Sequence, residues 1–296
     1  MSEDDPFALS RPLETRQPTD SILEWSRSMR PAPGIFVTGV MVRSGTQYAT
    51  NLIALHPHVF RHPREIWELP LLREASRVLE LTEHFFEAYT FNRERLGPLD
   101  LMTLLGSGVI AYLQAAVPPG VRILLTHPGA HHLDSFYAMF PHEHQLLLMR
   151  DGRDVVASAH TTWPAWDFED IVRTWTGNAR LMLRMRDRWL EEKRTILFAN
   201  YEEIVAAPEE FVHKACAAFG LDPQVFPYEN IASWVRIKGS STFEAVQKGE
   251  WEIRDASPDF KTSGRWSEWT NAEMRAFKEI AGPTLIECGY VDNDQW

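Results

Sequence analysis

Short apolar, β-branched runs alternate along this chain with longer stretches in which apolar positions recur every three to four residues. That alternation is the pattern of a mostly parallel sheet flanked by helices. Four runs read as strands: Ile35–Val42, Arg122–Thr126, Gln145–Met149 and Thr195–Phe198. A helix is predicted from Thr46 to Leu55, where Tyr48, Leu52, Ile53 and Leu55 form one apolar face and His56-Pro57 ends it. Further helices open within Asp151–Asp154, cover Pro208–Phe219, and run over Asn271–Cys288 behind a start signal at Thr270-Asn271. From about 69 to 116 the pattern is mostly helical and reads as an insertion over the sheet. Residues 1–33, rich in Pro, Ser, Asp and Glu, read as a flexible lead, leaving 34–296 as a single α/β domain. No internal repeat is present.

Composition narrows the function. The 296 residues are 44% hydrophobic and 24% charged, enough for one large core. Thirty basic against 41 acidic residues give a net charge of −11, which argues against a nucleic-acid or anionic-membrane surface. A polyanionic ligand would therefore need a few basic residues converging against an unfavourable overall field. Cys216 and Cys288 lie in apolar helical contexts and read as reduced and inert. The start, Met-Ser-Glu-Asp-Asp, lacks the features of a signal peptide, and no apolar run is long enough to span a bilayer, so a cytoplasmic protein is expected. The 11 histidines show no metal-ligand spacing, and no metal is expected.

Two segments carry candidate chemistry. Gly39-Val-Met-Val-Arg43-Ser44-Gly45-Thr46-Gln47 lies between the first strand and its helix, where backbone N–H groups and the helix N-terminus form an anion site. The pattern is not Walker A: no Lys follows Gly45, and the cation precedes it as Arg43. The second segment is Arg150-Asp-Gly-Arg-Asp-Val-Val-Ala-Ser158. A strand-end arginine and a hydroxyl about two helical turns later can reach one phosphate. Asp154 reads as a helix-start residue and Arg153 as a salt-bridge or packing residue.

These two motifs and Tyr201-Glu-Glu, in that order and spacing, resemble the PAPS-dependent sulfotransferase family (PAPS, 3′-phosphoadenosine 5′-phosphosulfate; PAP, its product) over about Ile35–Tyr290. The resemblance implies a P-loop NTPase-like sulfotransferase fold with a helical substrate-side insertion. It implies that Arg43, Ser44, Gly45, Thr46 and Gln47 hold the 5′-phosphosulfate, and that Arg150 and Ser158 hold the 3′-phosphate. Tyr48 resembles an adenine-stacking aromatic, Ser241-Thr242-Phe243 a second adenine-contacting segment, and Tyr201 a tyrosine near the nucleotide. Phe260-Lys261-Thr-Ser-Gly264-Arg265-Trp266 resembles a late loop whose basic residue closes over the 3′-phosphate; it departs from the cytosolic Arg-Lys-Gly pattern, which leaves Lys261 and Arg265 both open for that role.

Sulfuryl transfer to a hydroxyl or phenol of a small-molecule or peptide acceptor needs a cation at the leaving group and a general base. Arg43 can supply the cation; it stays charged and does not donate a proton. For the base, chemistry favours His127, because histidine begins near pKa 6.5 and glutamate only near 4.3. Resemblance to the catalytic glutamate region of tyrosylprotein sulfotransferases favours Glu65, which is the first choice, with His127 second and Glu68, His131 and His132 behind. Trp67, Phe85, Phe86, Tyr89, Trp163, Trp166 and Phe168 fall in segments that could line an aromatic or lipophilic acceptor pocket. The alternatives are a P-loop phosphotransferase, a PAP- or PAPS-binding protein without turnover, and sulfation followed by elimination. A homodimer is compatible with the sequence.

Overall fold

The computed structural model describes residues 18–29, 32–66, 68–234, 261–293 and 295–296. Five strands, β1 (Ile35–Gly39), β2 (Val59–Arg61), β3 (Arg122–His127), β4 (His144–Met149) and β5 (Ile196–Asn200), form one sheet in the order β2-β3-β1-β4-β5. Every neighbouring pair is parallel, for example Thr38 beside His127 and Gly39 beside Leu148. The helices are α1 (Asp20–Ser28), α2 (Thr46–Ile53), α3 (Ala75–Ala88), α4 (Asp100–Gln114), α5 (Phe136–Met139), α6 (Gly152–Thr162), α7 (Phe168–Glu191), α8 (Tyr201–Ala206), α9 (Pro208–Phe219), α10 (Ile231–Trp234) and α11 (Asn271–Glu287).

The central strands are buried on both faces, as a parallel sheet between helical layers requires. Alternate residues serve opposite layers. Phe36, Leu147 and Met149 join the core that includes Ile110 and Leu113 of α4, Trp175 of α7 and Phe277 of α11. Ile35, Val37, Leu146 and Leu148 face Leu52 and Ile53 of α2 and Phe211 and Phe219 of α9. The fold is thus a single α/β domain with a parallel five-stranded sheet.

The stretch from about 69 to 116 is mostly helical: a 3-10 turn (Pro70–Glu74), α3, a second 3-10 turn (Thr90–Glu94) and α4 occupy it. Three local expectations change. β1 ends at Gly39 rather than Val42, because the apolar residues Val40 and Met41 stay buried while the chain turns. β2 went unread because three residues with one buried apolar side chain make too short a pattern. Within 1–33, expected as a flexible lead, the structure has α1, tied to α4 by Thr19 N–H and hydroxyl donating to Asp100 (2.8 Å each) and by a buried Ser26–Ser107 hydroxyl pair.

Because all strands run the same way, their C-terminal ends share one edge. From the outside inward and across, that edge presents the Pro63–Glu65 turn after β2, His127 ending β3, the 40–45 loop after β1, Arg150 after β4 and Tyr201 after β5. The strand order reverses about β1, and such switch points are where open α/β sheets bind ligands.

Candidate functional site

The loop after β1 is closed from within. The buried Ser44 hydroxyl donates to Met41 O (2.6 Å) and accepts from Met41 N–H (3.1 Å). Ser44 therefore contributes backbone shape, its side chain being spent inside the loop. Arg43 (φ 74°) and Gly45 (φ 87°) both take left-handed backbone, which turns the chain into α2. The first N–H groups of α2 have no intrahelical acceptor and meet at the end of β1, the arrangement that binds anions. Gly45 lies against the Tyr201 ring, which a Cβ there would overlap.

Arg150 is set by its surroundings on every side. Trp175 Nε1 donates to its carbonyl (3.3 Å), and the same indole covers Gly152, where no Cβ fits. Its Nη1 donates to Arg43 O (2.7 Å), its Nη2 donates to Thr262 O (2.6 Å), and its guanidinium stacks 4.3 Å over Tyr201. Its Nε is buried without a hydrogen-bond partner among the described residues, a donor that a phosphate oxygen would satisfy. Arg43 Nε donates to Ser158 Oγ (3.1 Å), so the two sequence motifs touch directly. Burial, with Arg150 and Arg265 adding their charges, pulls the Arg43 guanidinium down to about 10, still cationic at neutral pH. Arg265 is held below its ordinary value by burial and by Arg150. Three arginines thus converge in a chain of net charge −11.

The remaining assignments separate. Tyr48, half-buried, meets Tyr201 edge-on at 6.2 Å, so both sit beside the loop. Gln47 Oε1 accepts from Arg61 Nη2, and Arg61 Nη1 also donates to Asn51; this tie between β2 and α2 went unread because it joins residues 10 and 14 apart across two elements. Thr46 is partly buried at the first turn of α2. Of the two late-loop cations, Arg265 joins the arginine cluster, whereas Lys261 is exposed. Ser241, Thr242, Phe243 and Trp67 lie outside the described residues.

Asp154 lies in the first turn of α6, as expected of a helix-start residue, and has a further role: it accepts from Gly264 N–H (3.0 Å) and Arg265 N–H (2.8 Å), while Asp151 caps α6 by accepting from Arg153 N–H (2.9 Å). No local pattern reveals a contact 110 residues away. Arg153 behaves as read: it pairs with Asp151 (2.6 Å) and packs on tryptophan rings.

The two base candidates differ in access. His127 is 1% exposed; its Nδ1 bonds Gly129 O, and because a carbonyl only accepts, Nδ1 carries the proton and Nε2 the lone pair. Burial, then the neighbouring His131, Arg73 and His132, push its pKa down to about 4. Glu65 is exposed, in a turn where His62, Arg64 and Glu65 all have positive φ (56°, 54° and 62°). Arg64 pins that turn to α4, stacking 3.9 Å over Tyr112 and donating from Nε to Tyr112 O (3.1 Å). Leu69 N–H donates to Thr126 O (3.0 Å), which ties the following segment to β3. Burial raises the Glu68 carboxyl, and His132 Nε2 lies 3.3 Å from Ser76 Oγ. Among the aromatics, Trp163 and Trp166 stack at 4.4 Å and Arg43 lies 5.9 Å from the Trp163 ring, whereas Phe85 and Tyr89 pair on the insertion.

His127 gives a stability prediction. Its folded pKa lies below the unfolded value, so the unfolded chain binds more protons between about pH 4 and 6.5, and stability falls as pH drops through that window. At about 1.4 kcal/mol per pKa unit the loss approaches ~3 kcal/mol. Urea midpoints across this range should drop for the wild type and drop less for His127→Asn; parallel curves would contradict the assignment.

Fold and site together define an α/β protein with a cluster of arginines beside the N-terminus of the helix after its first strand. A family model described as "Sulfotransferase family" matches residues 33–225. The chain belongs to the sulfotransferase family and is a sulfotransferase enzyme. It is similar to nodulation protein NoeE of Sinorhizobium fredii (strain NBRC 101917 / NGR234), 25% identical over 90% of this chain and 68% of that one. Among solved structures it is similar to sulfotransferase STF9 from Mycobacterium avium (14% identity, 92% of this chain and 81% of that chain, TM-score 0.49). It is also similar to the sulfotransferase domain of the Synechococcus PCC 7002 olefin synthase (17% identity, 94% and 98%, TM-score 0.48). Among the described residues no helix is long and apolar enough to cross a membrane, and no group of three or more His, Cys, Asp and Glu could hold a metal ion.

Proposed function

We propose that the chain transfers a sulfuryl group from PAPS to a hydroxyl or phenol of a small-molecule or peptide acceptor, without a metal. The observation that carries this is the convergence of Arg43, Arg150 and Arg265 on the N-terminus of α2. Arg43 and the first N–H groups of α2 take the phosphosulfate; Arg150, Ser158 and Arg265 take the 3′-phosphate; Tyr48 and Tyr201 lie beside the base. The acceptor oxygen attacks sulfur as the bond from sulfur to the bridging oxygen breaks, and PAP leaves with the electron pair. Arg43 stabilises the charge that develops there, and the acceptor proton passes to Glu65. Access favours Glu65 over the enclosed His127, and backbone strain of this kind gathers at functional sites. Cys216 and Cys288 are free thiols, which suits a cytoplasmic setting.

Thermal shift is the direct test. PAP without Mg²⁺ should stabilise the protein markedly, because its 5′- and 3′-phosphates each meet part of the arginine cluster, and ATP, which has no 3′-phosphate, should do little. Arg150→Ala should abolish the PAP shift, since the buried guanidinium touches both Arg43 and the late loop. Equal or greater stabilisation by Mg-ATP would instead favour a phosphotransferase. PAP binding with no PAP release in any acceptor screen would favour a binding protein without turnover.

A further inference from the structure

The late loop, residues 261–268, reaches the donor site by few bonds. Thr262 O accepts from Arg150 (2.6 Å), and the Gly264 and Arg265 N–H groups donate to Asp154 (3.0 and 2.8 Å). Its large apolar side chain there is Trp266, and this ring is held in a stack. Arg153, 8% exposed and charge-balanced by Asp151, lies 4.5 Å from the Trp266 ring centre and 4.7 Å from that of Trp296. Trp266 and Trp296 meet edge-on at 5.6 Å. Trp296 is itself seated against Phe277 of α11 (5.9 Å) and under Lys278 Nζ (4.8 Å).

Arg153 is the hinge of this arrangement, because it belongs to α6, which also carries Asp154 and Ser158. One helix thus holds the loop's backbone through Asp154 and its aromatic side chain through Arg153. The guanidinium sits in the corner formed by two perpendicular indoles, so loss of one indole uncovers part of the cation and leaves the other ring loosely placed. Among the described residues, Trp296 reaches the late loop through Arg153 and Trp266.

We propose that Trp296 is a positioning residue for the nucleotide donor: through the Trp266–Arg153 stack it locks the Gly264–Arg265 backbone onto Asp154, and so fixes Arg265 in the arginine cluster. This rests on the donor-site reading above, and two readouts separate the two ideas. The first needs no ligand. In Trp296→Ala, hydrogen exchange of the 261–268 peptide should quicken roughly tenfold while residues 155–159 of α6 keep wild-type protection. The second uses PAP by calorimetry and PAPS in turnover. PAP affinity should weaken roughly tenfold and the KM for PAPS rise alike, with kcat at saturating donor and the acceptor KM within about twofold. Trp296→Phe, which restores an aromatic face, should recover most of both effects.

Wild-type protection of the 261–268 peptide in Trp296→Ala overturns the proposal, as does unchanged PAP affinity in a loosened loop. Loosening in the variant with no PAP binding by the wild type supports the lock and sinks the donor reading alone. If Trp296→Ala does not fold, Trp296→Leu keeps an apolar contact on Phe277 without a π face toward Arg153 and is judged by the same results.

Discussion

Replacing Glu65 by Gln should lower kcat by roughly 10²- to 10⁴-fold while leaving the PAP thermal shift intact. The substitution keeps the side chain's size and hydrogen-bonding reach and removes only its ability to accept the acceptor's proton. The turn holding it is costly: the three left-handed L-residues His62, Arg64 and Glu65 cost roughly 1–2 kcal/mol each. The surroundings that sustain it are visible, namely buried Pro63 and the stack and hydrogen bond of Arg64 on Tyr112. The measurement is turnover by PAP release with any acceptor found in a screen, alongside the thermal shift. Full turnover by Glu65→Gln together with loss in His127→Asn would transfer the role to the histidine.

Gly45→Ala should abolish PAP binding and lower the melting temperature. Two penalties act at one position. An L-residue at φ 87° is strained by roughly 1–2 kcal/mol, and its Cβ would overlap the Tyr201 ring. Relief requires either the loop or the ring to move. Moving the loop misdirects the first N–H groups of α2; moving the ring removes the surface on which Arg150 stacks at 4.3 Å. The first route disturbs the proposed phosphosulfate end and the second the proposed 3′-phosphate end, so PAP binding is lost whichever gives way. Calorimetry with PAP and a melting curve check it; wild-type affinity in Gly45→Ala would show that the loop tolerates a side chain and is not held as described.

Much of this was legible without coordinates. Alternation of apolar runs with helical periodicity specified a parallel α/β sheet, because each buried strand must be followed by a helix that crosses over it. The ordered motifs at Arg43–Thr46 and Arg150–Ser158 pointed to the family, since local loop chemistry and strand-to-helix junctions are written in contiguous residues. Sequence also marked Arg153 as a packing residue. It overextended β1, where apolar residues remain buried after the strand has ended, and it passed over β2, where only one of three residues is buried.

The chain alone therefore determined the class of fold and singled out the two segments that the structure brings into contact. Tertiary structure decided which cations meet and what holds them. That Arg265 rather than Lys261 joins Arg43 and Arg150, that Asp154 grips a loop 110 residues away, and that Ser44 spends its hydroxyl inside its own loop all depend on side-chain direction and long-range approach. Periodicity and local motifs report on neighbours in sequence. The electrostatics of the site are set by neighbours in space, after the sheet has brought the ends of β1 and β4 together.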